Sequence, residues 1–555
     1  MTTYDPVSLG ILWDRLISIS DEIVSTLVRT SFSINVRESY DLSCVLFDAE
    51  GNPIAQGSYS VPSFTGTSGP TIQHMFRKFP PDTLQEGDVV ATNDPWMGTG
   101  HLYDISVMRP VFHKGKRVGF TMSITHLPDI GGAGNSAGLS EIYEEGLRLP
   151  VVKLMHKGKL NAELMDIIRT NVRVNEQVIG DIMANISCNE VGGRLLAEFM
   201  EEYGIDDLGP LSKAIRDQSE RVIRDKIALI PDGRYTNSIQ IEGIKDPVTL
   251  ACEIVKKGET VSVDFSGTGD CVRAAINVPF CYTRAWAAYS IKCLTCPETP
   301  NNEGQVRPIT ITAPENCILN AQPPWPTAGR HSVGHFVVPL MFGALAKALP
   351  HVIQADPGMM NIFNVQGKHR DGRDVASLFF LAGGFGALEG LDGLATTPAP
   401  SNMGVVPTEV WENLTSMSVL KRELLADSGG PGKFRGGVGQ EVVLRNDTGN
   451  LLTVSFMGLR TEFPALGFHG GKPGAPRRYM IDGKEAHPKG RYVLQPGATV
   501  VIHEAGGGGF GNPQDRAREA IEDDIRKGLV TPEGAKRDFG YEVARKTEPR
   551  PRRAS

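Results

Sequence analysis

The residues with the clearest chemical potential lie in one short stretch between Asn93 and Asp104. It ends in His101 and Asp104, which are three positions apart and directly follow a glycine-rich loop. A second histidine, His126, comes one predicted hairpin later. Two imidazoles and a carboxylate can hold a divalent metal and leave open positions for water or substrate. The same residues could instead form a hydrogen-bonded His–Asp pair at a strand end, because short motif matches carry a false-positive risk.

The chain between Asp104 and His126 is predicted to form the β-hairpin that brings these groups together. If residues 114–116 form its loop, His113 faces Arg117. Counting outward in antiparallel register then places Asp104 opposite His126. The metal-binding candidates should therefore converge at the open end of one hairpin.

An aspartate from an earlier element completes the candidate ligand set. A helix is predicted over residues 5–31, because apolar residues recur there at steps of three and four after an aspartate N-cap. Asp41 follows this helix at the entrance of a short strand, and the other candidate ligands also lie at strand ends. A divalent ion held by Asp41 and the three residues above would lower the pKa of a bound water or polarise a carbonyl. This mixed nitrogen and oxygen set does not choose among Zn, Mn and Fe.

Polar residues beside the candidate ligands could orient the imidazoles. Asn93, Asp94 and Asp129 all flank the proposed ligands in sequence, and metal-binding histidines usually need such partners. Asp94 and Asp129 could equally be loop-capping residues.

Three charged residues further along the chain are weaker candidates for the reaction itself. Arg307 and Arg330 could bind a phosphorylated intermediate, since the guanidinium group can donate two hydrogen bonds to phosphate. The alternative is that each forms a structural salt bridge. Glu303 could be a general base or a solvated loop carboxylate. His331 and His335 share a face if their segment is helical, and we interpret them as packing residues.

The hydrophobic pattern predicts an α+β protein built from several segments. A metal-bearing α/β region leads into helices between about 160 and 230, and the character turns to β-strand from about 233. From about 375 to 510 the chain is rich in glycine, with short strands that indicate a sandwich or barrel-like module. The predicted regions are 1–230 with the metal site and the helical segment, 231–370 of mixed α/β type, the Gly-rich β module 371–512, and the C-terminal helices and tail 513–555.

Composition excludes several functional classes. The 555 residues carry a formal charge of −7, and the only basic cluster, Arg545 to Arg553, is typical of a terminal tail, so we expect no nucleic-acid partner. We also expect no membrane association, because neither a signal peptide nor an apolar run of spanning length is present. The eight cysteines are too few for a disulfide framework in such a chain, which favours buried thiols in a reducing cytoplasm.

Several familiar catalytic and binding motifs fail on spacing or context. Cys293 and Cys296 form a lone Cys-x-x-Cys whose possible partners are wrongly spaced for a zinc ribbon. Ser136 lies in a Gly-x-Ser-x-Gly match, but a loop precedes it where a nucleophile elbow needs a strand. The run Gly506–Gly509 does not fit a dinucleotide fingerprint and is interpreted as a turn. No phosphate-binding Gly-x4-Gly-Lys-Ser/Thr loop occurs anywhere in the sequence.

Six motifs, in the same order, resemble the hydantoinase B/oxoprolinase family over about residues 5 to 540. These motifs are Asn93-Asp-Pro with Gly-x-Gly-His101-Leu-x-Asp104, His126-x-x-Asp-Ile-Gly-Gly132, Glu145-Gly-Leu-Arg148, Asn171-x-Arg173, Asp427-Ser-Gly-Gly-Pro-Gly-Lys-x-Arg-Gly-Gly437 and Gly506-Gly-Gly-Gly-Phe-Gly-Asn-Pro513.

The resemblance implies the metal-containing component, of hydantoinase B type, of an ATP-dependent cyclic-amide hydrolase acting on hydantoin-, lactam- or oxoproline-like rings. In that arrangement a hydantoinase A-like ATPase partner binds ATP and phosphorylates the substrate, and the hydantoinase B component completes hydrolysis, in a heterotetramer or larger assembly. The family's ligand positions match Asp41, His101, Asp104 and His126. The need for a partner agrees with the missing phosphate loop.

Two departures from the family pattern concern the surroundings of the site. Many members have a His-x-Gly segment where this chain has residues 61–66 without a histidine, and the usual Gly-Gly-Thr-His is here Gly98-Thr-Gly-His101. Two other functions therefore stay open beside the hydrolase. One is the α subunit of an ATP-dependent ketone carboxylase of the acetone or acetophenone type. The other is a non-catalytic assembly subunit, against which the intact ligand set argues.

Overall fold

The computed structural model describes residues 4–542 of the chain. The basic cluster from Arg545 to Arg553 lies outside the described residues. Helices are interspersed with the strands of four sheets in the described part of the chain, which confirms the α+β fold class. Within residues 4–542, no helix combines the length and the hydrophobicity needed to cross a bilayer. All eight cysteines are free thiols.

The first 230 residues form helices α1–α7 and strands β1–β7. In chain order these are α1 Pro6–Thr30, α2 Ile34–Arg37, β1 Leu42–Asp48, β2 Pro53–Gln56, α3 Pro62–Thr65, α4 Ser68–Lys78, β3 Val89–Thr92, β4 Asp104–His113, β5 Lys116–His126, β6 Val152–His156, β7 Lys159–Leu160, α5 Ala162–Asn171, α6 Asn175–Glu202 and α7 Gly209–Ala228.

The remaining chain forms helices α8–α13 and strands β8–β20. These are β8 Gly233–Ile241, β9 Val248–Lys257, β10 Thr260–Asp264, α8 Phe280–Thr295, β11 Ile309–Thr312, α9 His331–Gly334, α10 Val337–Leu345, β12 Met360–Lys368, β13 Asp374–Ala382, α11 Thr408–Thr415, β14 Met417–Leu424, β15 Gln440–Asn446, β16 Leu452–Phe456, β17 Arg478–Ile481, β18 Lys484–Glu485, β19 Arg491–Leu494, β20 Thr499–His503, α12 Arg518–Arg526 and α13 Pro532–Phe539. Short 3-10 turns occur at Pro81–Thr83, Ile142–Glu144, Glu303–Val306 and Pro513–Asp515.

A seven-stranded antiparallel sheet carries the hairpin of the candidate site. Its order is β2-β1-β5-β4-β3-β6-β7, so the hairpin strands β4 and β5 lie in the interior of the sheet. Both faces are covered. Leu42 and Leu46 of β1 pack in a core with α1 and α6, whereas Val45 and Phe47 point to a second core that includes β12 and β13. This two-sided burial explains why β1 reads as an almost continuous apolar run.

Three smaller sheets complete the fold. Strands β11-β10-β9-β8 form one, in which only the β10–β11 pair is parallel. Strands β13-β12-β16-β19 and β14-β15-β20-β17-β18 form the other two. Strands β12 and β13 pair along their whole length across residue 370. The division of the chain into four regions stays a prediction.

The first helix agrees closely with its sequence signals. Helix α1 begins at Pro6, and the Asp5 carboxylate accepts hydrogen bonds from the backbone N–H groups of Val7 and Ser8, both at 3.1 Å. The helix ends before Ser31, whose N–H donates to the Leu27 carbonyl. These contacts confirm the predicted capped helix.

The Gly506–Gly509 run is not the turn that the sequence suggested. It is an extended segment that pairs with several other backbones: Gly507 donates to the Gly437 carbonyl at 2.9 Å and accepts from the Gly430 N–H at 2.8 Å. Gly384 donates to the carbonyl of Ala505, just before the run, at 2.9 Å. Because these residues lack side chains, distant chain segments approach to hydrogen-bonding distance. The glycines therefore serve close packing between segments.

We expect a single added methyl group in this packing to destabilise the protein. A Cβ atom at Gly384 would collide with the backbone carbonyl of Gly437, and neither segment can move without breaking its hydrogen bonds. Gly384→Ala should cost about 1–3 kcal/mol or more. Gly10→Ala is the matched control, since a Cβ there meets nothing within 4 Å and should stabilise helix α1 by about 0.5–1 kcal/mol. Thermal unfolding of both variants checks this; equal melting temperatures would contradict it.

Candidate metal centre

The β4–β5 hairpin has the predicted open end but a different loop. Asp104 faces His126 in the first pair of the hairpin, as expected. The loop, however, contains only Lys114 and Gly115, both with positive φ, which is typical of a tight type I′ turn. An irregularity in the register near Val111 absorbs the extra residue. The predicted three-residue loop is therefore wrong, while the pairing that matters for the site is confirmed.

Three side chains converge at this end of the hairpin. His101, Asp104 and His126 are all buried, and one potential ligand atom from each lies within 4.8 Å of the other two. His101 Nε2 and Asp104 Oδ1 are 2.9 Å apart. Neither of these two atoms makes a well-aligned hydrogen bond, although both are fully buried. Two buried polar atoms left without such a bond, beside a second imidazole, suit a shared cation, so the residues present fit a divalent metal.

Backbone carbonyls set the tautomers of both histidines. Nδ1 of His101 lies 3.1 Å from the carbonyl oxygen of Ala328, and Nδ1 of His126 lies 2.9 Å from that of Leu127. A carbonyl oxygen can only accept, so each Nδ1 carries the proton. The Nδ2 group of Asn35 is also 3.3 Å from His126 Nδ1, but the shorter contact with the carbonyl decides the tautomer. Each Nε2 is then left with a free lone pair, as a metal ligand requires.

Burial keeps the two imidazoles neutral. It lowers the pKa of His126 to about 3, with a further contribution from the neighbouring His101. Burial and then the charge of Arg330 likewise lower the pKa of His101. Burial opposes ionisation of Asp104, but His101 and Arg330 outweigh it and lower the pKa of this carboxyl. At neutral pH the group thus combines two neutral imidazoles with one carboxylate, the protonation state that metal binding needs.

Arg330 holds the carboxylate of Asp104 from one side. Its Nη2 donates to Asp104 Oδ2 at 2.6 Å, and its Nε donates to the carbonyl of Thr99 at 2.7 Å. The Thr99 hydroxyl also donates to Oδ2. The guanidinium itself stacks over Tyr282, 4.2 Å from the ring centroid. These contacts occupy Oδ2 and leave Oδ1 directed toward His101.

Asp41 lies in the same cavity but outside the group of three. Its backbone carbonyl accepts from the His126 N–H at 3.2 Å, which fixes the strand entrance beside the hairpin. Its side chain is buried and lines the cavity together with the other predicted ligands. Burial, followed by the charge of Asp104, raises the pKa of Asp41 well above its usual range. Its role as a fourth ligand stays a prediction.

Two cavities lie on either side of a thin wall. The one around His101 has a volume of about 40 Å³, and a larger chamber of about 570 Å³ lies beside it. Residues from the segments 60–66 and 399–403 line both spaces. Phe64 and Ser401, for example, face the cavity around His101, whereas the neighbouring Thr65 and Pro400 face the chamber. A single layer of chain thus separates the two.

Comparison with known proteins identifies the family. The model of the hydantoinase B/oxoprolinase family matches residues 5–513. The chain belongs to this family. It is 29% identical to a protein of Pseudomonas sp. strain NS671 that is named as the B component of a D-/L-hydantoinase, over 97% of this chain and 95% of that protein. It is also 29% identical to the beta chain of caprolactamase from Pseudomonas jessenii, over 98% of this chain and 97% of that one.

Solved structures agree with this assignment. The crystal structure of ATP-dependent caprolactamase from Pseudomonas jessenii matches with a TM-score of 0.91 and 28% identity, covering 99% of this chain and 98% of that one. A nucleotide-free acetone carboxylase structure matches with a TM-score of 0.87 and 20% identity, covering 97% and 79%. At that identity the second likeness shows the fold alone.

Two predicted orienting residues of this hydantoinase B/oxoprolinase chain hold loops and do not contact the imidazoles. Asp94 is paired with Arg148, at 2.6 and 2.7 Å. Asp129 accepts from Arg173 at 2.8 Å. The loop-capping alternative therefore describes both carboxylates. Asn93 also acts on the backbone, because its Nδ2 donates to the Leu102 carbonyl at 2.7 Å.

Glu303 and Arg307 lie outside the cavity around His101. Arg307 is held by Glu303 at 2.7 Å and by Glu220 of α7 at 2.9 Å. Glu303 also contacts Arg216 of the same helix. Neither Glu303 nor Arg307 lines the cavity around His101. Opposite charges on α7 draw both residues into an ion-pair cluster, the alternative that the sequence left open for Arg307, and their catalytic roles stay predictions.

Several residues at the site were missed or given another role from the sequence. Asn135 and Tyr282 line the cavity around His101, and Tyr103 stacks on His126 with ring centroids 5.1 Å apart. His331 and His335 line it as well, where only packing was expected. No local motif marks Tyr282 or Asn135, since their proximity to the hairpin arises from contacts across the fold.

Glu145 supports the site from behind. Its Oε1 accepts from the backbone N–H of Ala328 at 2.8 Å and also from that of Thr327. The Ala328 carbonyl in turn fixes the tautomer of His101. Burial raises the pKa of Glu145 to about 8, although the two backbone donors oppose this shift. Glu145, the first residue of the family's Glu145-Gly-Leu-Arg148 motif, is therefore buried and holds the backbone of Ala328, whose carbonyl contacts His101.

We expect Glu145→Gln to change how stability depends on pH. Below the unfolded pKa near 4.5 the carboxyl is protonated in both states. Between that value and about 8 only the unfolded chain ionises, so the wild type loses stability as the pH rises. The glutamine side chain keeps an oxygen that can accept both hydrogen bonds, and it does not titrate. Melting temperatures at pH 5, 6.5 and 8 should therefore fall less in this variant than in the wild type.

The exposed neighbour Glu144 provides the control for this experiment. Its pKa is lowered by hydrogen bonds from the backbone and the hydroxyl of Ser140, so Glu144→Gln should leave the wild-type decline between pH 5 and 8 in place. Parallel curves for the wild type and Glu145→Gln would show that burial does not raise the pKa of Glu145.

Proposed function

We propose that this chain is the metal-carrying subunit of an ATP-dependent cyclic-amide hydrolase. Its substrate would be a ring of the hydantoin, lactam or oxoproline type that a partner ATPase has phosphorylated. The observation that carries the proposal is the buried group of His101, Asp104 and His126, in which two close ligand atoms make no well-aligned hydrogen bond. The hydantoinase and caprolactamase components among its relatives support the choice of cyclic amides.

The residues of the site would prepare the reacting group as follows. The carbonyls of Ala328 and Leu127 direct both imidazole lone pairs into the cavity. Arg330 balances the charge of Asp104 and leaves one of its oxygens free. A divalent ion held there would polarise the substrate or lower the pKa of a bound water. Water would then attack the activated carbon, and the tetrahedral adduct would expel the ring nitrogen as an amine, which opens the ring and leaves an acyl phosphate. A second water would release phosphate and give the carboxylate.

His331 replaces Glu303 as the group placed to move a proton. It is buried, lines the metal cavity, and has an Nε2 atom without a hydrogen-bond partner in the described structure. Burial, with a smaller effect of His335, lowers the pKa of His331 well below its usual range. The free Nε2 atom is placed to accept the proton that the attacking water loses and to deliver it to the leaving nitrogen, although the lowered pKa makes this imidazole a weak base.

A partner subunit is part of this proposal. The sequence has no phosphate-binding loop, and two of its relatives carry names that mark them as one component of a larger enzyme. We therefore infer a hydantoinase A-like ATPase partner and an assembly of at least two copies of each chain. We also infer a cytoplasmic location, which the eight free cysteines favour. The chain alone should not turn over ATP.

The substrate ring would reach the site from the larger chamber. The metal cavity of about 40 Å³ is little larger than the volume of one water molecule in the liquid. A five- to seven-membered ring would therefore need the wall at residues 60–66 and 399–403 to move. The chamber of about 570 Å³ has room for the part of the ligand that does not react.

A ketone carboxylase remains the second candidate function. The acetone carboxylase structure shares the fold over nearly the whole chain. Consumption of bicarbonate with a ketone, in place of water with a cyclic amide, would identify that activity.

The metal is tested directly by elemental analysis of the purified chain. We expect near-stoichiometric Zn, Mn or Fe in the wild type and its loss in His101→Ala, because one of three close ligand atoms disappears. His113→Ala is the matched control: it lies at the far end of the same hairpin, beside Glu201, and should keep the metal. A wild-type chain that binds no metal even after loading would rule out the mechanism.

Activity is tested with and without the partner. The wild-type chain combined with its ATPase should open 2-pyrrolidinone, hydantoin or caprolactam only when ATP is present, and His101→Ala should not. ATP-dependent ring opening by this chain alone would contradict the proposal of two components.

A further inference from the structure

The side chain of Asn135 has no hydrogen-bond partner among residues 4–542. It is 2% exposed, and both its Nδ2 and its Oδ1 are buried without a bond in the described part of the chain. A buried donor and acceptor without partners carry an unrecovered desolvation cost. Most buried polar atoms in proteins have a hydrogen-bond partner, so an unpaired buried amide indicates that a ligand or an ordered water binds there.

The backbone of Asn135 is held firmly even though its side chain is free. Its carbonyl accepts from Asn364 Nδ2 at 2.9 Å. Two residues later the Ala137 carbonyl accepts from the Ala275 N–H at 2.9 Å. Gly134, with a φ of +84°, lies directly against Gln366. These anchors fix the loop, so the amide of Asn135 is presented to the metal cavity that it lines.

Three other polar side chains of this cavity, those of Arg330, Tyr282 and Ser401, are already engaged. Arg330 donates to Asp104 and to the Thr99 carbonyl. The Tyr282 hydroxyl is 3.1 Å from His335 Nε2, and Ser401 donates to a backbone carbonyl at 3.0 Å. Asn135 instead offers a donor next to an acceptor. A ligand that presents a carbonyl beside an N–H would satisfy both.

We propose that Asn135 determines specificity in the metal cavity by pairing with an intact amide edge of the ligand. Its Nδ2 donates to the ligand carbonyl while its Oδ1 accepts from the adjacent ligand N–H. The inference rests on the proposed cyclic-amide hydrolase and selects among its substrates.

Activation of the substrate decides which rings can make this pair. Phosphorylation of a lactam on oxygen converts its C(=O)–NH unit into C(–O–phosphate)=N and releases the proton, so a simple lactam loses its only amide edge. A hydantoin ring contains a second amide unit and keeps one N–H beside a carbonyl. The geometry therefore favours cyclic ureides such as hydantoins over simple lactams. A site built to bond polar groups discriminates strongly against ligands that lack them.

The test is calorimetric titration of the full-length, metal-loaded chain with hydantoin and with 2-methoxy-1-pyrroline, a ring of equal size that has the C(–O)=N unit of an activated lactam and no amide edge. The wild type should bind hydantoin about tenfold or more tightly than 2-methoxy-1-pyrroline, which corresponds to one satisfied polar pair. Asn135→Ala should lose this preference and keep its affinity for 2-methoxy-1-pyrroline. Ser136→Ala, on the same loop but outside the cavity lining, should behave like the wild type.

The comparison of ligands on the wild type needs no variant, so the inference stays testable even if Asn135→Ala fails to fold. Equal affinities for the two rings, including no binding of either, would overturn it, as would a preference that survives in Asn135→Ala. Such a result would mean that ordered water alone satisfies the amide. It would leave the proposed function standing if metal content and ATP-dependent opening of 2-pyrrolidinone are intact.

Discussion

The carboxylate of Asp104 divides its two oxygens between the fold and the cavity. Oδ2 receives Arg330 and the hydroxyl of Thr99, while Oδ1 points to Nε2 of His101. A carboxylate buried without Arg330 would be costly, because charge taken out of water needs a partner. The arginine comes from a segment more than two hundred residues away. This one ion pair thus fixes the hairpin, the glycine-rich loop and the helical segment around α9 relative to one another.

Around this ion pair the site is organised by backbone groups more than by side chains. The carbonyls of Ala328 and Leu127 set the histidine tautomers. The side chain of Glu145 holds the loop of Ala328 by accepting hydrogen bonds from the backbone N–H groups of that loop. Backbone partners have little conformational freedom, so the imidazoles are held in one orientation before any ligand binds. Backbone hydrogen bonds also join distant parts of the fold at 384, 430–437 and 506–509. The glycines there have no side chains, so these segments approach closely enough to bond directly.

The hairpin illustrates why a prediction can be right at the site and wrong elsewhere. The observed two-residue loop shifts the register by one from the prediction, and the irregularity near Val111 shifts it back, so Asp104 still faces His126. Loop length depends on which residues accept positive φ, and Lys114 does so here without any strong sequence signal. Glu303 and Arg307 lie away from this cavity for a related reason, since their charges pair with opposite charges on helix α7, which packs beside them.

The sequence by itself determined the local elements and the identity of the candidate ligands. The capped helix α1 and the strand after Asp41 follow from local residue preferences. The spacing of His101 and Asp104 can be read directly from the sequence, and the motifs identify the family. Only the tertiary structure decided that Arg330 belongs to the cavity while Glu303 does not, that Asn135 faces the site unpaired, and that Ala328 orients His101. Those relations join residues far apart in the chain, and no local pattern encodes them, because they depend on how the sheets and helices pack.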